Sequence, residues 1–256
     1  MSLDATNESP RPLGKVPEIT LGFWIIKIAA TTLGETAGDA VSMSMDLGYL
    51  AGTAIFAAIF LAAVAAQIRA KAFHPFLYWA TIIATTTVGT TLADFADRSL
   101  GIGYAGGSSL LLALLLGSLW LWRRTLGTVA VSSITTPKAE AFYWMTIMFS
   151  QTLGTALGDW TADTAGLGYD GAAILFGALL AAIVAAYYGT RLSRTLLFWA
   201  AFILTRPLGA VVGDFLDKPL SEGGLALSRY AASAALLAFI LMSIFLFRQR
   251  AAANAH

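Results

Sequence analysis

Trp24, Trp79, Trp144 and Trp199 each open a stretch with one shared pattern. Ten residues on stands a glycine (Gly34, Gly89, Gly154, Gly209), and fourteen on a small residue (Gly38, Ala93, Gly158, Gly213). Fifteen on stands an aspartate (Asp39, Asp94, Asp159, Asp214). Further along, Tyr49, Tyr104 and Tyr169 follow a glycine in three copies, where the fourth has Gly224. Four ungapped registers define a tandem repeat, and such a repeat fixes the unit from which a fold is built. Copies two and four also share DFADR (Asp94–Arg98) and DFLDK (Asp214–Lys218), so the chain reads as two halves of two repeats.

Each copy holds two apolar stretches. Spans can be drawn at 22–42, 50–68, 77–96, 105–122, 142–161, 171–188, 195–214 and 226–247. Each is near the roughly 20 residues that cross about 30 Å of hydrocarbon. The chain is 57% hydrophobic and 12% charged, half the charge of an ordinary soluble domain, at about 25%. Two helices per copy make every copy enter the membrane from the same side, as parallel repeats about an axis along the membrane normal. The expected fold is therefore an all-α polytopic membrane protein. Eight transmembrane helices form four parallel two-helix repeats, with pseudo-twofold and pseudo-fourfold symmetry about that normal. Its divisions are a disordered cytoplasmic tail (1–21), a first half (22–122), a linker (123–140), a second half (141–247) and a cytoplasmic tail (248–256). The tail at 1–21 lacks a signal-peptide core, so no processing is expected.

Arg11, Lys15, Arg69, Lys71, Arg123, Arg124, Lys138, Arg191, Arg194, Arg248 and Arg250 all fall on one side of an eight-span chain. Positive charge marks the cytoplasmic side, which places both termini there. Arg98, Lys218 and Arg229 break the pattern from the opposite side.

On the strength of the four Trp residues and the Gly-x-x-x-small-Asp runs after them, residues 22–247 resemble a bacterial inner-membrane protein family of unknown function. That family is built from four tandem two-helix repeats, each with a characteristic Trp. The resemblance implies the architecture and an inner-membrane location. It supplies no function.

The chemistry must then come from residues. An ionised carboxylate deep in a bilayer costs roughly 2.5–3.5 kcal/mol, so four repeated aspartates must be protonated, paired, hydrogen-bonded or wet. One reading makes Asp39, Asp94, Asp159 and Asp214 caps that pin the following glycine-rich turns. The other makes them a convergent acidic site on a cation path. Residues four apart share a helix face. The face holding the aspartates also carries Thr31 and Glu35, Thr86 and Thr90, Gln151 and Thr155, and Arg206 and Ala210, with Thr32, Thr87 and Thr152 beside it. Oxygen donors of this kind suit hard cations such as Mn²⁺, Mg²⁺ or Ca²⁺, and also Na⁺ or H⁺.

Glu35, which only the first repeat has, is expected as the proton-coupling group. Glu35, Asp39 and Asp159 are the expected metal ligands. Arg206 is expected as a fixed counter-charge, with the alternative that it blocks a continuous pore. Asp94 with Arg98 and Asp214 with Lys218 read as structural pairs in the favourable i,i+4 order, leaving Asp97 and Asp217 freer. Lys27 is expected to snorkel to the cytoplasmic face, the Trp residues to anchor the interface, and the glycine pairs to let helices approach closely. Asp46 and Asp163 read as vestibule or solvated groups.

The chain has no cysteine and two histidines, His74 and His256, which argues against a thiolate or histidine zinc site. No Ser/His/Asp set, HExxH or nucleotide loop is present, so no enzymatic activity is expected. The expected function is a transporter for a small hard cation, in the first place a divalent metal, with proton coupling. A passive channel and a non-transporting scaffold or sensor are the alternatives. The expected partners are the lipid bilayer and the transported cation, with a homodimer allowed, no nucleic acid and no covalent cofactor.

Overall fold

The computed structural model describes residues 14–252. Among these residues the protein is helical and has no strand. Its long helices are α1 (Leu21–Asp39), α2 (Gly48–Arg69), α3 (Pro75–Asp94), α4 (Tyr104–Leu126), α5 (Pro137–Asp159), α6 (Gly168–Gly189), α7 (Arg194–Asp217) and α8 (Arg229–Leu246). Their starts are chemically marked. The hydroxyls of Thr20, Thr136, Ser193 and Ser228 accept from the backbone N–H of Phe23, Ala139, Leu196 and Ala231, satisfying a donor that the helix leaves open. Pro75 and Pro137 sit at the first helical turn, where a missing N–H costs nothing.

Six helices, α2, α3, α4, α6, α7 and α8, are long and apolar enough to cross a membrane. In α1 and α5 the apolar run is broken by Lys27, Glu35 and Asp39, and by Lys138, Glu140 and Asp159. Most of these groups are buried among other helices, so the low apolar content of the two helices reflects the neighbours they meet.

The odd-numbered helices pack in a closed ring, α1 on α3, α3 on α5, α5 on α7 and α7 on α1. Each even helix leaves its own repeat to pack on the next ring helix: α2 on α3, α4 on α5, α6 on α7 and α8 on α1. The outer faces of the even helices are left apolar and exposed, as at Ile59, Leu116, Ile174 and Phe245. An apolar surface of this extent marks contact with lipid or another protein.

The repeated glycines explain how the ring closes. A Cβ at Gly34 would overlap Thr86 of α3, one at Gly154 would overlap Arg206 of α7, and one at Gly209 would overlap Thr31 of α1. At Gly89 it would stand 3.0 Å from the backbone of Gln151 and Thr152 on α5. Each glycine at Trp+10 thus receives the Trp+7 region of the next repeat, and the fourth copy returns to the first. At Trp+14 the rule holds again, with Gly38 against Thr90, Gly158 against Ala210 and Gly213 against Glu35. Small-residue contacts of this kind bring helix backbones close, which puts the facing side chains on a common axis.

Three ring helices pass beyond their aspartate into a π-helical turn, at Ala40–Ser44, Phe95–Ser99 and Trp160–Thr164. The chain then reverses through glycines in the left-handed region, including Gly48, Gly103 and Gly168, a conformation that residues with a Cβ rarely adopt. The fourth copy departs. After Lys218 its loop folds back on α7, with Leu225 N–H donating to Phe215 O and Ala226 N–H to Lys218 O.

Four expectations are corrected at the Trp end. Trp79, Trp144 and Trp199 are buried rather than interfacial. They lie beside a layer of Phe23, Tyr78, Tyr143 and Phe198, in which the two tyrosine hydroxyls are 2.6 Å apart. Lys27 does not snorkel outward: it is fully buried, its Nζ 4.3 Å over the Phe202 ring. The expected linker at 123–140 shortens to 127–136, since α4 runs to Leu126 and α5 starts at Pro137.

The tails are the fourth correction. Residues 1–13 and 253–256 lie outside the described residues, but residues 14–20 and 248–252 are ordered against the bundle. Val16 and Ala252 are buried, Ala252 N–H donates to Val16 O, and Lys15 N–H donates to Ile134 O. Burial of apolar Val16 drives this packing. Lys15 Nζ also sits 2.7 Å from buried Glu140. Lys15→Met leaves that carboxylate without its cation, and we expect a loss of about 1–3 kcal/mol, read from thermal unfolding of the purified protein in detergent.

Candidate functional site

The polar face of each ring helix points inward. Moving from the Trp end, the ring presents Lys27, Ile82, Ile147 and Phe202, then Thr31, Thr86, Gln151 and Arg206, then Glu35, Thr90, Thr155 and Ala210, and then the four aspartates. All are buried. Helical spacing stacks these levels one turn apart, about 6 Å.

Arg206 crosses the middle of the ring. Its Nη2 lies 3.0 Å from Glu35 Oε2, 2.6 Å from Thr90 Oγ1 and 2.5 Å from Thr155 Oγ1. One guanidinium from α7 thereby touches each of the other three ring helices. Pro207 after it lies inside α7. The peptide N–H that proline lacks removes one helical hydrogen bond at this level.

The aspartates are held by basic residues. Arg98 Nε is 2.9 Å from Asp94 and its Nη2 is 3.7 Å from Asp159. Lys218 Nζ is 3.1 Å from Asp214 and 2.5 Å from Asp39. Arg229 Nε is 3.3 Å from Asp217 and 3.8 Å from Asp39. The i,i+4 pairs read from the sequence are present, and each reaches on to an aspartate of another repeat. Burial disfavours the Lys218 ammonium, but the carboxylates of Asp214 and Asp39 outweigh it and hold its pKa above the ordinary lysine value.

The capping reading of the aspartates is not what the geometry gives. Asp39, Asp94 and Asp159 stand where each π-helical turn begins, yet make no side-chain cap hydrogen bond. Their oxygens converge instead. Glu35, Asp39 and Asp94 each bring an oxygen within 4.8 Å of the other two, and so do Asp39, Asp214 and Asp217. The geometry groups Glu35 and Asp39 with Asp94, while Asp159, the third expected ligand, lies against Arg98. Asp217 was expected to be freer, but it joins the second trio and pairs with Arg229.

The threonines beside the stripe do not line it with free hydroxyls. Thr32, Thr87 and Thr152 donate to the carbonyls of Ile28, Ile83 and Met148, one turn back on their own helices. One residue past the inward position is about 100° round the helix, which turns them toward the helix flank. Asp46 and Asp163 are exposed.

Sequence reasoning missed Arg98, Lys218 and Arg229 as a shared set. Their signal was present: they are the three basic residues that break the charge asymmetry of the loops. They break that pattern because they pair with this cluster. Together with Arg206 they face Glu35, Asp39, Asp94, Asp159, Asp214 and Asp217, so among the described residues the cluster holds two more carboxylates than cations. An unmatched buried carboxylate takes a proton or a cation.

No curated protein and no solved structure matches the chain. The family model described as a Repeat of Unknown Function (DUF347) matches four times, at residues 22–73, 77–128, 142–193 and 197–252. Each match takes in one ring helix and the even helix after it. Since the four matches cover most of the chain and coincide with the Trp-led copies, the chain belongs to the DUF347 repeat family, whose function is unknown.

Proposed function

We propose that the protein is a carrier for a small hard cation, in the first place a divalent ion such as Mn²⁺ or Mg²⁺, with proton coupling through Glu35 and the aspartates. In this reading all eight helices cross the inner membrane of a bacterium as four parallel repeats about the membrane normal. Both chain ends lie in the cytoplasm, and the aspartate end of the ring faces outward.

The observation that carries the proposal is the surplus of carboxylates in a buried cluster to which several repeats contribute. The donors are carboxylate oxygens, with the hydroxyls of Thr90 and Thr155 nearby. This set fits Mg²⁺ or Mn²⁺ and gives no preference to soft ions. A cation entering from the aspartate end meets Lys218 and Arg98 already on the carboxylates. Binding therefore means displacing an ammonium or guanidinium, or releasing protons. Exchange of this kind couples the two charges and belongs to a carrier. Arg206 across the ring and the aromatic layer beyond it disfavour a passive channel, since a channel needs a continuous path.

The test is uptake by proteoliposomes loaded with a metal-sensitive dye, with and without a pH gradient. We expect pH-gradient-dependent entry of at least one divalent ion. Glu35→Gln and Asp39→Asn should each slow it at least about tenfold, the effect of losing one interaction of about 1.4 kcal/mol in the transition state. Flux that ignores the gradient makes the protein a channel. Absence of flux for every ion tested leaves the scaffold reading, in which the charges only hold the ring together.

A further inference from the structure

On the Trp side of Arg206 the ring contains a second polar level with the opposite charge balance. Lys27, Thr86, Gln151 and Arg206 are each fully buried there. Lys27 Nζ, Thr86 Oγ1, Gln151 Nε2 and Oε1, and Arg206 Nε and Nη1 have no hydrogen-bond partner among the described residues. This contrasts with Arg206 Nη2, which is occupied by Glu35, Thr90 and Thr155. Thr86, Gln151 and Arg206 hold the same position in their repeats, Trp+7, and so share one level of the ring. Lys27 lies one turn nearer the Trp end, over Phe202, which itself lies one turn before Arg206 on α7. A lysine and an arginine thus stand about a helical turn apart, and among the described residues the one carboxylate paired with either, Glu35, is engaged by Nη2.

A buried polar atom without a partner costs roughly 1–3 kcal/mol, and a buried charge more. Several such atoms at one level of a tightly packed ring form an unfilled donor set. The set is rich in N–H and O–H groups and carries positive charge. Arginine keeps its charge under all ordinary conditions, so one source of that charge is fixed. Beside Lys27, one turn nearer the Trp end, stand the buried apolar side chains of Ile82, Ile147 and Phe202, which offer a ligand no polar contact.

We propose that this level is a binding site for one small monovalent anion, a halide, held by Lys27 Nζ, the Gln151 amide, the Thr86 hydroxyl and the free N–H groups of Arg206. One negative charge there balances Lys27, as the cluster beyond Arg206 draws in positive charge. The ring then carries two sites of opposite sign, back to back on one guanidinium. The inference uses atoms that the cation reading leaves aside, and stands or falls separately from it.

The purified full-length protein in detergent is titrated with sodium chloride or bromide against sodium gluconate at constant ionic strength, and thermal unfolding is followed. We expect saturable stabilisation by halide that gluconate does not give. Lys27→Met and Gln151→Leu each remove a donor and should weaken the apparent halide affinity about tenfold or more. Asp163→Asn, at an exposed site outside the ring, should leave it unchanged. Should either ring variant fail to fold, anomalous scattering from bromide-soaked crystals of the unaltered protein decides, with a peak expected between Lys27 and Arg206. A protein equally stable in halide and gluconate, or a halide response that survives both substitutions, overturns the proposal. So does a bromide peak found only elsewhere, since water and a neutral Lys27 then fill the level.

Discussion

Glu35→Leu should destabilise the protein by about 3–5 kcal/mol, the cost of stripping one partner from a buried ion pair. Arg206 is fully buried, its Nη2 is 3.0 Å from Glu35, and its guanidinium cannot shed its charge to escape. Thr90 and Thr155 can still accept from it, but neutral hydroxyls do not cancel a charge. The double variant Glu35→Leu with Arg206→Met removes both charges and replaces them with apolar groups of similar size. Much of the loss should then return, because a buried pair swapped whole for apolar residues is often neutral or stabilising. A double-mutant cycle by thermal or denaturant unfolding measures the coupling. If Glu35→Leu alone costs under about 1 kcal/mol, the charge of Arg206 is carried by the aspartates beyond it and the pair does not organise the ring.

Gly209→Ala is expected to have the second largest effect. The added methyl overlaps the Thr31 side chain and comes 2.9 Å from the Thr31 carbonyl carbon, which is backbone and cannot swing aside. The two helices must part where the last repeat meets the first. Overpacking costs typically 1–3 kcal/mol, and Thr31 also loses its 3.1 Å hydrogen bond to Thr205 O across the same contact. We expect a loss near the top of that range, about 3 kcal/mol. Gly117→Ala on α4, where nothing lies within 4 Å, serves as the control. It should be neutral or slightly stabilising, since alanine is the better helix former. Equal unfolding midpoints for the two variants would show that the Trp+10 glycines do not set the helix approach.

The sequence was most legible where it repeated. The Trp-to-Asp register located every ring helix, and the four-residue spacing of Glu35 and Asp39 put both on the inward face. Arg206 was legible as a counter-charge because a buried guanidinium has few other partners. What could not be read was rotation. Spacing tells which residues share a face, but not which neighbour that face meets. The threonines at 32, 87 and 152 therefore looked equivalent to the inward ones, and Asp159, with no basic residue four positions on, looked freer than Asp94 although Arg98 reaches both. Lys27 and the tryptophans misled for a related reason. Near a helix end the usual expectation is interface, but residues 14–18, 131–134 and 250–252 cover this end and bury it. The basic residues of the far loops were visible only as exceptions, because their partners lie on other repeats.

The pairing of Glu35 with a residue 171 positions later also bears on how the molecule is made. A ribosome makes α1 long before α7 exists, and α8, its outer partner, emerges last. Until then Glu35 and Asp39 lack the cations that pair with them in the folded ring, Arg206, Lys218 and Arg229. The first helix therefore takes up its full set of neighbours only after six more helices have been synthesised, and closure of the ring is a late step in folding.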